Sequence, residues 1–175
     1  GSGDAHAPST SGSCDSVCDK ALALNCPNDT PQGCLAECEA AFGAYDKAGC
    51  TSYSNAYLGC IGSKVTFQCS ATSGKANVSS SELSAACKSE VMALAGCTAC
   101  VPDASDDACD TCRKTSCCPE WKAYLSDPSV YDFSTCGQAC SDATCINGCL
   151  AKYPSLKSKF DAMLSCDTSK CASTC

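Results

Sequence analysis

The sequence predicts a mostly α protein: disulfide-rich short helical hairpins with one small β-hairpin and no large hydrophobic core. Three observations lead there. Of 175 residues 22 are Cys, and Leu, Ile, Val and Phe together supply only another 22, while 25 positions are Ala. A chain this short of large side chains and this rich in Cys is a cross-linked scaffold, in which bridges worth roughly 2–4 kcal/mol each, acting mainly on the unfolded chain, stand in for apolar burial. Second, many cysteines recur four residues apart, the spacing that puts both on one helix face. Third, a single stretch alternates with the period of a strand.

Charge and hydropathy narrow the partners. The net charge is −7, from 19 acidic and 12 basic residues, and Arg113 is the one Arg, so no basic stripe exists for a phosphate backbone and nucleic acid is not an expected partner. The longest apolar run, Val91 to Ala95, is far shorter than the roughly 20 residues that span a bilayer. A soluble, processed chain is expected, with membrane contact only through an N-terminal lipid anchor. An even count of 22 cysteines is what full pairing requires, which implies an extracytoplasmic location, secreted or on the outer cell surface.

Residues 1–13, rich in Gly, Ser, Thr, Pro and Ala, have no periodicity and are read as a flexible tether or tag. The first helix carries Cys14, Val17, Cys18, Ala21 and Leu22 as one stripe, with Ser13 as N-cap, and stops before Cys26-Pro27. Thr30-Pro31 announces a second helix, with Cys34, Leu35, Cys38, Ala41, Phe42 and Tyr45 on one face. The two form a hairpin, in which antiparallel C-x3-C pairs join ladder-fashion, Cys14 to Cys38 outside and Cys18 to Cys34 inside. A short helix follows, roughly Ser52 to Ile61. Val65, Phe67 and Cys69 then alternate with Thr66 and Gln68, and with Lys75 to Val78 they make the β-hairpin. Ser79-Ser80-Ser81-Glu82 supplies a capping box for the longest stripe, Leu83, Cys87, Val91, Leu94 and Ala95, ending at Cys97.

Ten cysteines lie from Cys14 to Cys97 and twelve from Cys100 to Cys175. Both counts are even, so one disulfide-stapled domain is expected over 14–97, a linker over 98–108 and a second stapled domain over 109–175. In the second, Pro119 opens a helix bearing Trp121, Tyr124 and Leu125, which Asp127-Pro128 terminates. Cys136 and Cys140, then Cys145 and Cys149, repeat the two C-x3-C pairs, giving Cys136–Cys149 and Cys140–Cys145 as the matching ladder. Leu156, Phe160, Met163 and Leu164 mark the last helix.

Both halves resemble cysteine-rich domains common in secreted proteins and lipoproteins of myxobacteria. The first does so through Cys14-x3-Cys18, Cys34-x3-Cys38, the run from Cys60 to Cys69, and Cys87 with Cys97. The second does so through Cys109-x2-Cys112-x4-Cys117-Cys118-Pro119-Glu120 and its C-x3-C pairs. The resemblance implies a cell-surface or extracellular location and carries no catalytic residues.

Each constellation has a plainer reading beside it. Cys97-x2-Cys100 with Cys109-x2-Cys112 offers four thiolates for zinc, but the gap between the pairs is short for a ribbon site. C-x3-C helices can line a bundle with thiolates for Cu(I), as in copper-storage proteins, yet Cys26, Cys50 and Cys69 fall where such a channel has no use for them. A redox C-x-x-C lacks a βαβ frame. The lone His6 lies in the tether, so no nucleophile–His arrangement can be assembled, and Glu37 with Glu39 or Asp106 with Asp107 read as solvated faces and helix-start charges. Asn28-Asp-Thr and Asn77-Val-Ser match the glycosylation pattern by coincidence. Trp121, Tyr124, Tyr131 and Phe133 are most simply the second half's small core; the functional alternative is an exposed binding platform for a glycan or protein.

Two function classes stand. The favoured one is a non-enzymatic extracellular or cell-surface scaffold for binding, adhesion or self-assembly, with no cofactor and with a protein or glycan partner, or a second copy, of unknown identity. The alternative is a thiolate-based copper or zinc storage or scavenging protein.

Overall fold

In a computed structural model the described residues are 13–175; the expected tether, apart from Ser13, and His6 with it, lies outside them. The described chain is mostly α with a single two-stranded antiparallel hairpin. It forms two compact units that divide between Glu90 and Val91.

In the first unit, α1 (Cys14–Leu22) starts where the Ser13 hydroxyl accepts from the Ser16 amide at 3.3 Å. α2 (Pro31–Lys47) starts where Thr30 Oγ1 accepts from the Gly33 amide at 3.1 Å, with Pro31 in the first turn. α3 (Thr51–Lys64) packs with both. Lys20 ties α1 to the end of α3: its ammonium donates to the carbonyls of Gly62 and Val65 at 2.9 and 2.7 Å and lies 5.5 Å from the Phe67 ring centre. Those two carbonyls are among the orphans every helix end leaves, so one lysine both satisfies the end and fixes the exit of the chain into β1.

β1 (Phe67–Cys69) pairs with β2 (Ala76–Val78) in the register Phe67↔Val78, Gln68↔Asn77, Cys69↔Ala76. Gly74 makes the turn at φ +66°. It is doubly constrained, since a Cβ there would meet Asn28 Nδ2 at 2.6 Å. A two-stranded ribbon is marginal alone, and this one is held to the segment after α1 by Cys26–Cys69, by the Ala76 amide donating to Asp29 Oδ2 at 2.7 Å, and by Asn28 Nδ2 donating to Ser73 O at 2.8 Å. α4 (Ser80–Thr98) is helical except at Cys87, whose φ/ψ of −121°/19° kinks it. Cys87 is fully buried, bonded to Cys60, and forms the small core of this unit with Cys60 and Val65.

The second unit takes in the last turns of α4, then α5 (Ala108–Ser116), α6 (Cys118–Leu125), α7 (Ser129–Gln138), α8 (Ala143–Leu150) and α9 (Pro154–Lys170). α6 packs along α9, α7 against α8, and α5 against both α6 and α9. Asp107 and Asp142 cap α5 and α8 by accepting from the amides of Asp110 and Cys145, each at 2.8 Å. The core is Met92, Tyr124, Val130, Phe133, Cys149, Leu150, Leu156 and Met163. The 98–108 segment, read from sequence as a linker, is held within this unit. Cys100 is bonded to Cys118, and Lys114 Nζ donates to Asp106 Oδ1 at 2.5 Å, which keeps the Asp106 carboxyl below the ordinary carboxylate range.

Among the described residues, the most completely buried side chains include Cys18, Cys50, Cys87, Cys117 and Cys171 but only three aliphatics, Leu150, Leu156 and Val65. Cystine sulfur thus fills sites that an ordinary domain gives to Leu and Ile.

Candidate functional site

The disulfides are the densest chemistry in the molecule. On α1 and α2, Cys14 is joined to Cys38 and Cys18 to Cys34, with Cα–Cα distances of 5.7 and 5.8 Å. Cys136 of α7 is joined to Cys149 of α8, and Cys140, just past the end of α7, to Cys145 of α8, at 5.9 and 5.4 Å. The first ladder arises because residues i and i+4 stack one turn apart on the same face and an antiparallel partner presents them in reverse order; in the second, Cys145 and Cys149 stack so on α8 and meet Cys136 of α7 and Cys140 just beyond it.

A third set was not read from the sequence. Cys109, Cys112 and Cys117, in and just after α5, are bonded to Cys175, Cys171 and Cys166, the last within α9 and the other two beyond its end. The signal was there in mirrored form: the first three are 3 and 5 residues apart, and the last three, read backwards, 4 and 5, the mark of two antiparallel segments. Cys50 and Cys97 are disulfide-bonded as well, and no described cysteine is free.

This pairing dissolves two of the other constellations. Of the four cysteines considered for zinc, Cys100, Cys109 and Cys112 are bonded to three different partners and Cys97 is also in a disulfide. Cys109-x2-Cys112 is not a redox pair, since its members are not bonded to each other. Glu37 pairs with Lys75, whose pKa that contact raises, and Asp106 and Asp107 serve Lys114 and the α5 cap. Asn28 spends its side-chain amide on Ser73, and Asn77 is exposed on β2.

The aromatic segment contributes two side chains to the core. Tyr124 and Phe133 are 9% and 6% exposed, and Trp121 and Tyr131 are partly buried against the same cluster. The segment turns inward because Phe160 of α9 receives it: Tyr124 meets Phe160 at a tilt and Phe133 meets it edge-on, at centroid distances of 5.8 and 5.6 Å, and Trp121 meets Tyr124 edge-on at 6.1 Å. Burial pushes the Tyr124 hydroxyl pKa up.

Trp121 also belongs to a polar node that the sequence did not announce. Asp167, 7% exposed, accepts from Arg113 Nε at 2.8 Å and from Trp121 Nε1 at 3.3 Å, and the Arg113 guanidinium lies 5.1 Å from the Trp121 ring centre. One carboxylate thus answers the two donors beside the buried Cys117–Cys166 bridge. A cleft of about 120 Å³ opens next to it, lined by Ala99, Asp110, Arg113, Lys114, Trp121 and Leu125. Larger clefts in the first unit, of about 350 and 280 Å³, carry Glu39, Asp46 and Ser54 in one and Lys20, Leu24 and Phe67 in the other. In them Ser54 Oγ is engaged with Thr51 O, and Lys20 with the end of α3.

Two groups of potential ligand atoms lie within 4.8 Å of one another: the sulfurs of Cys140, Cys145 and Cys149, and those of Cys117 and Cys171 with an Asp167 oxygen. All the cysteines concerned are in disulfides. Among the described residues no helix is long and apolar enough to cross a membrane. Compared with protein-family models, curated proteins and solved structures, the chain matches none of them.

Proposed function

We propose that the protein is a non-enzymatic cysteine-rich scaffold of the cell surface or the extracellular medium, engaging a protein or glycan partner or a second copy of itself through a surface stiffened by disulfides. The observation that carries this reading is the complete pairing of the described cysteines. Structural bridges at this density form and persist in oxidising compartments, and in a chain with so few large apolar residues they supply the stability that burial cannot. The likeness to the cysteine-rich domains of myxobacterial extracytoplasmic proteins points to the same address. The storage alternative needs thiolates, and in this arrangement every described cysteine sulfur is already spent on another.

Thiol titration of the denatured, unreduced protein, paired with elemental analysis, tests the reading. No free thiol and no stoichiometric metal supports the scaffold. Four or more alkylated cysteines, or stoichiometric copper or zinc in the protein as isolated, would return the storage reading to first place. Size in solution measured against concentration then tells whether the partner is a second copy.

A further inference from the structure

We propose that the sulfurs of Cys136, Cys140, Cys145 and Cys149 form a redox-gated zinc site, closed while the two α7/α8 disulfides are intact and opened when a dithiol reduces both. Cys136 lies on α7, Cys145 and Cys149 on α8, and Cys140 two residues past the end of α7. Their two disulfides are in contact: Cys140 Sγ lies 3.7 Å from Cys149 Sγ, although each is bonded to a different partner. Two sulfurs on a tetrahedral zinc, each at about 2.3 Å from it, stand about 3.8 Å apart. One edge of the coordination tetrahedron therefore exists already. Cys145 Sγ lies within 4.8 Å of both; two further edges form when the bonded pairs relax to non-bonded separation, and Cys136 Sγ, now held by Cys149, completes the set by a rotamer change that swings it toward Cys140 and Cys145.

The first-unit ladder has the same C-x3-C spacing on longer helices, yet its sulfurs do not gather in this way among the described groups. In the second unit only four residues separate Cys140 from Cys145, and the short turn brings the rungs together. The other gathered group, Cys117 and Cys171 with Asp167, is sealed: all three residues are buried, and Asp167 is committed to Arg113 and Trp121.

Both bridges at α7/α8 are reachable, as is Cys109–Cys175 with its exposed Cys175, and the consequence of opening favours α7/α8. Cys145 is exposed and Cys140 and Cys136 are half-buried, so a reductant reaches the inner rung first. The two bridges span 5 and 13 residues, the shortest among the described bridges, so losing them frees the least unfolded-chain entropy. The apolar contacts of Leu150, Phe133 and Leu156 still hold the hairpin. Lys152 Nζ lies 3.9 Å from Cys136 Sγ and places a positive charge beside a sulfur that becomes a thiolate.

The steps balance. Each disulfide takes two electrons and two protons from one dithiol, which leaves as its own cyclic disulfide; two dithiols thus give four thiols. Zinc then binds as Zn²⁺ with release of the four thiol protons, leaving a Zn(Cys)4 centre with a net charge of −2, which Lys152 partly offsets.

The test starts from the fully oxidised, full-length protein. Graded dithiothreitol at neutral pH, with alkylation and peptide mapping at each step, is expected to free Cys136, Cys140, Cys145 and Cys149 before any other cysteine. Zn²⁺ added at that stage is expected to protect all four from alkylation and to remain at one ion per chain through desalting. Co²⁺ in its place is expected to show the intense visible bands of a tetrahedral thiolate complex. The double variant Cys140→Ser, Cys145→Ser, after reduction of its remaining bridge, is expected to retain no zinc. Reduction that begins at other bridges, four freed thiols that alkylate equally fast with and without Zn²⁺, or undiminished zinc retention by the double variant would each overturn the proposal.

Discussion

Asp167 and Trp121 are joined across 46 positions of sequence by a hydrogen bond from the indole Nε1–H to Asp167 Oδ1, while the other carboxylate oxygen accepts from Arg113. Replacing Asp167 with Ala leaves both donors without an acceptor beside a buried disulfide. A fully buried pair broken from one side costs about 3–5 kcal/mol. Arg113, whose side chain is 30% exposed, can turn toward water, so a loss of about 2–3 kcal/mol is expected. Urea unfolding with the bridges intact should show a lower midpoint at unchanged slope. Asp161→Ala, which removes an exposed i,i+4 pair with Lys157, is the control and should stay within about 0.5 kcal/mol.

Two mid-helix glycines should respond in opposite directions to the same change. A Cβ on Gly96 would stand 2.5 Å from Ser126 Cβ and 2.9 Å from Ser126 Cα, and backbone there cannot step aside, whereas a Cβ on Gly43 of α2 meets nothing within 4 Å. Gly43→Ala is expected to raise the melting temperature, following the helix-propensity gain of up to about 1 kcal/mol. Gly96→Ala is expected to lower it, because overpacking of about 1–3 kcal/mol exceeds that gain. Equal shifts in the two variants would contradict the α4–α6 approach.

The acid limb of stability should trace in part to Asp127. Burial pushes its carboxyl pKa up, but the Lys159 ammonium at 2.7 Å and the Ser129 amide at 2.9 Å outweigh burial and hold it below the ordinary value. A depressed folded pKa stabilises the native state above the unfolded value of about 3.9, and that share is lost as pH falls through the folded value. Stability should therefore vary little on this account between neutrality and about pH 5 and decline below about pH 4. Asp127→Asn should lower stability at neutral pH and flatten the decline, as read from melting temperatures across pH 2–7.

A protease cut between Val101 and Asp107 should release nothing without reductant, because Cys100 and Cys118 lie on opposite sides of it and are bonded. Non-reducing electrophoresis is expected to show one band and reducing electrophoresis two. Two separate fragments before reduction would place Cys100 with a different partner.

How much was legible depended on whether the deciding contact was near in sequence. Ser13 and Thr30 announced α1 and α2 because an N-cap acts within three residues, and the alternation from Val65 to Cys69 announced β1 for the same local reason. α5 was half-announced: Asp106 and Asp107 were read as helix-start charges, and Asp107 is its cap, but the cysteines that follow gave no apolar stripe to trace as a helix. α7 was hidden because Pro128, taken as the end of α6, also serves as the residue before a new helix. The kink at Cys87 and the Asp167 node have no local signature: one depends on a bond to Cys60, the other on donors 46 and 54 residues away. The aromatic cluster was seen, but its orientation rests on Phe160, which lies in another helix.

The nested bridges from α5 to the far end of α9 impose an order on biogenesis. When Cys109, Cys112 and Cys117 emerge, their partners are still 66, 59 and 49 residues away, and Cys118, Cys136, Cys140, Cys145 and Cys149 appear first. Pairing in order of emergence would join the wrong cysteines. Native pairing of these three therefore waits for Cys166, Cys171 and Cys175, and any bridge they close earlier has to be undone by thiol–disulfide exchange. The first unit's ladder, whose bridges span 24 and 16 residues, has all four of its cysteines as soon as Cys38 is made.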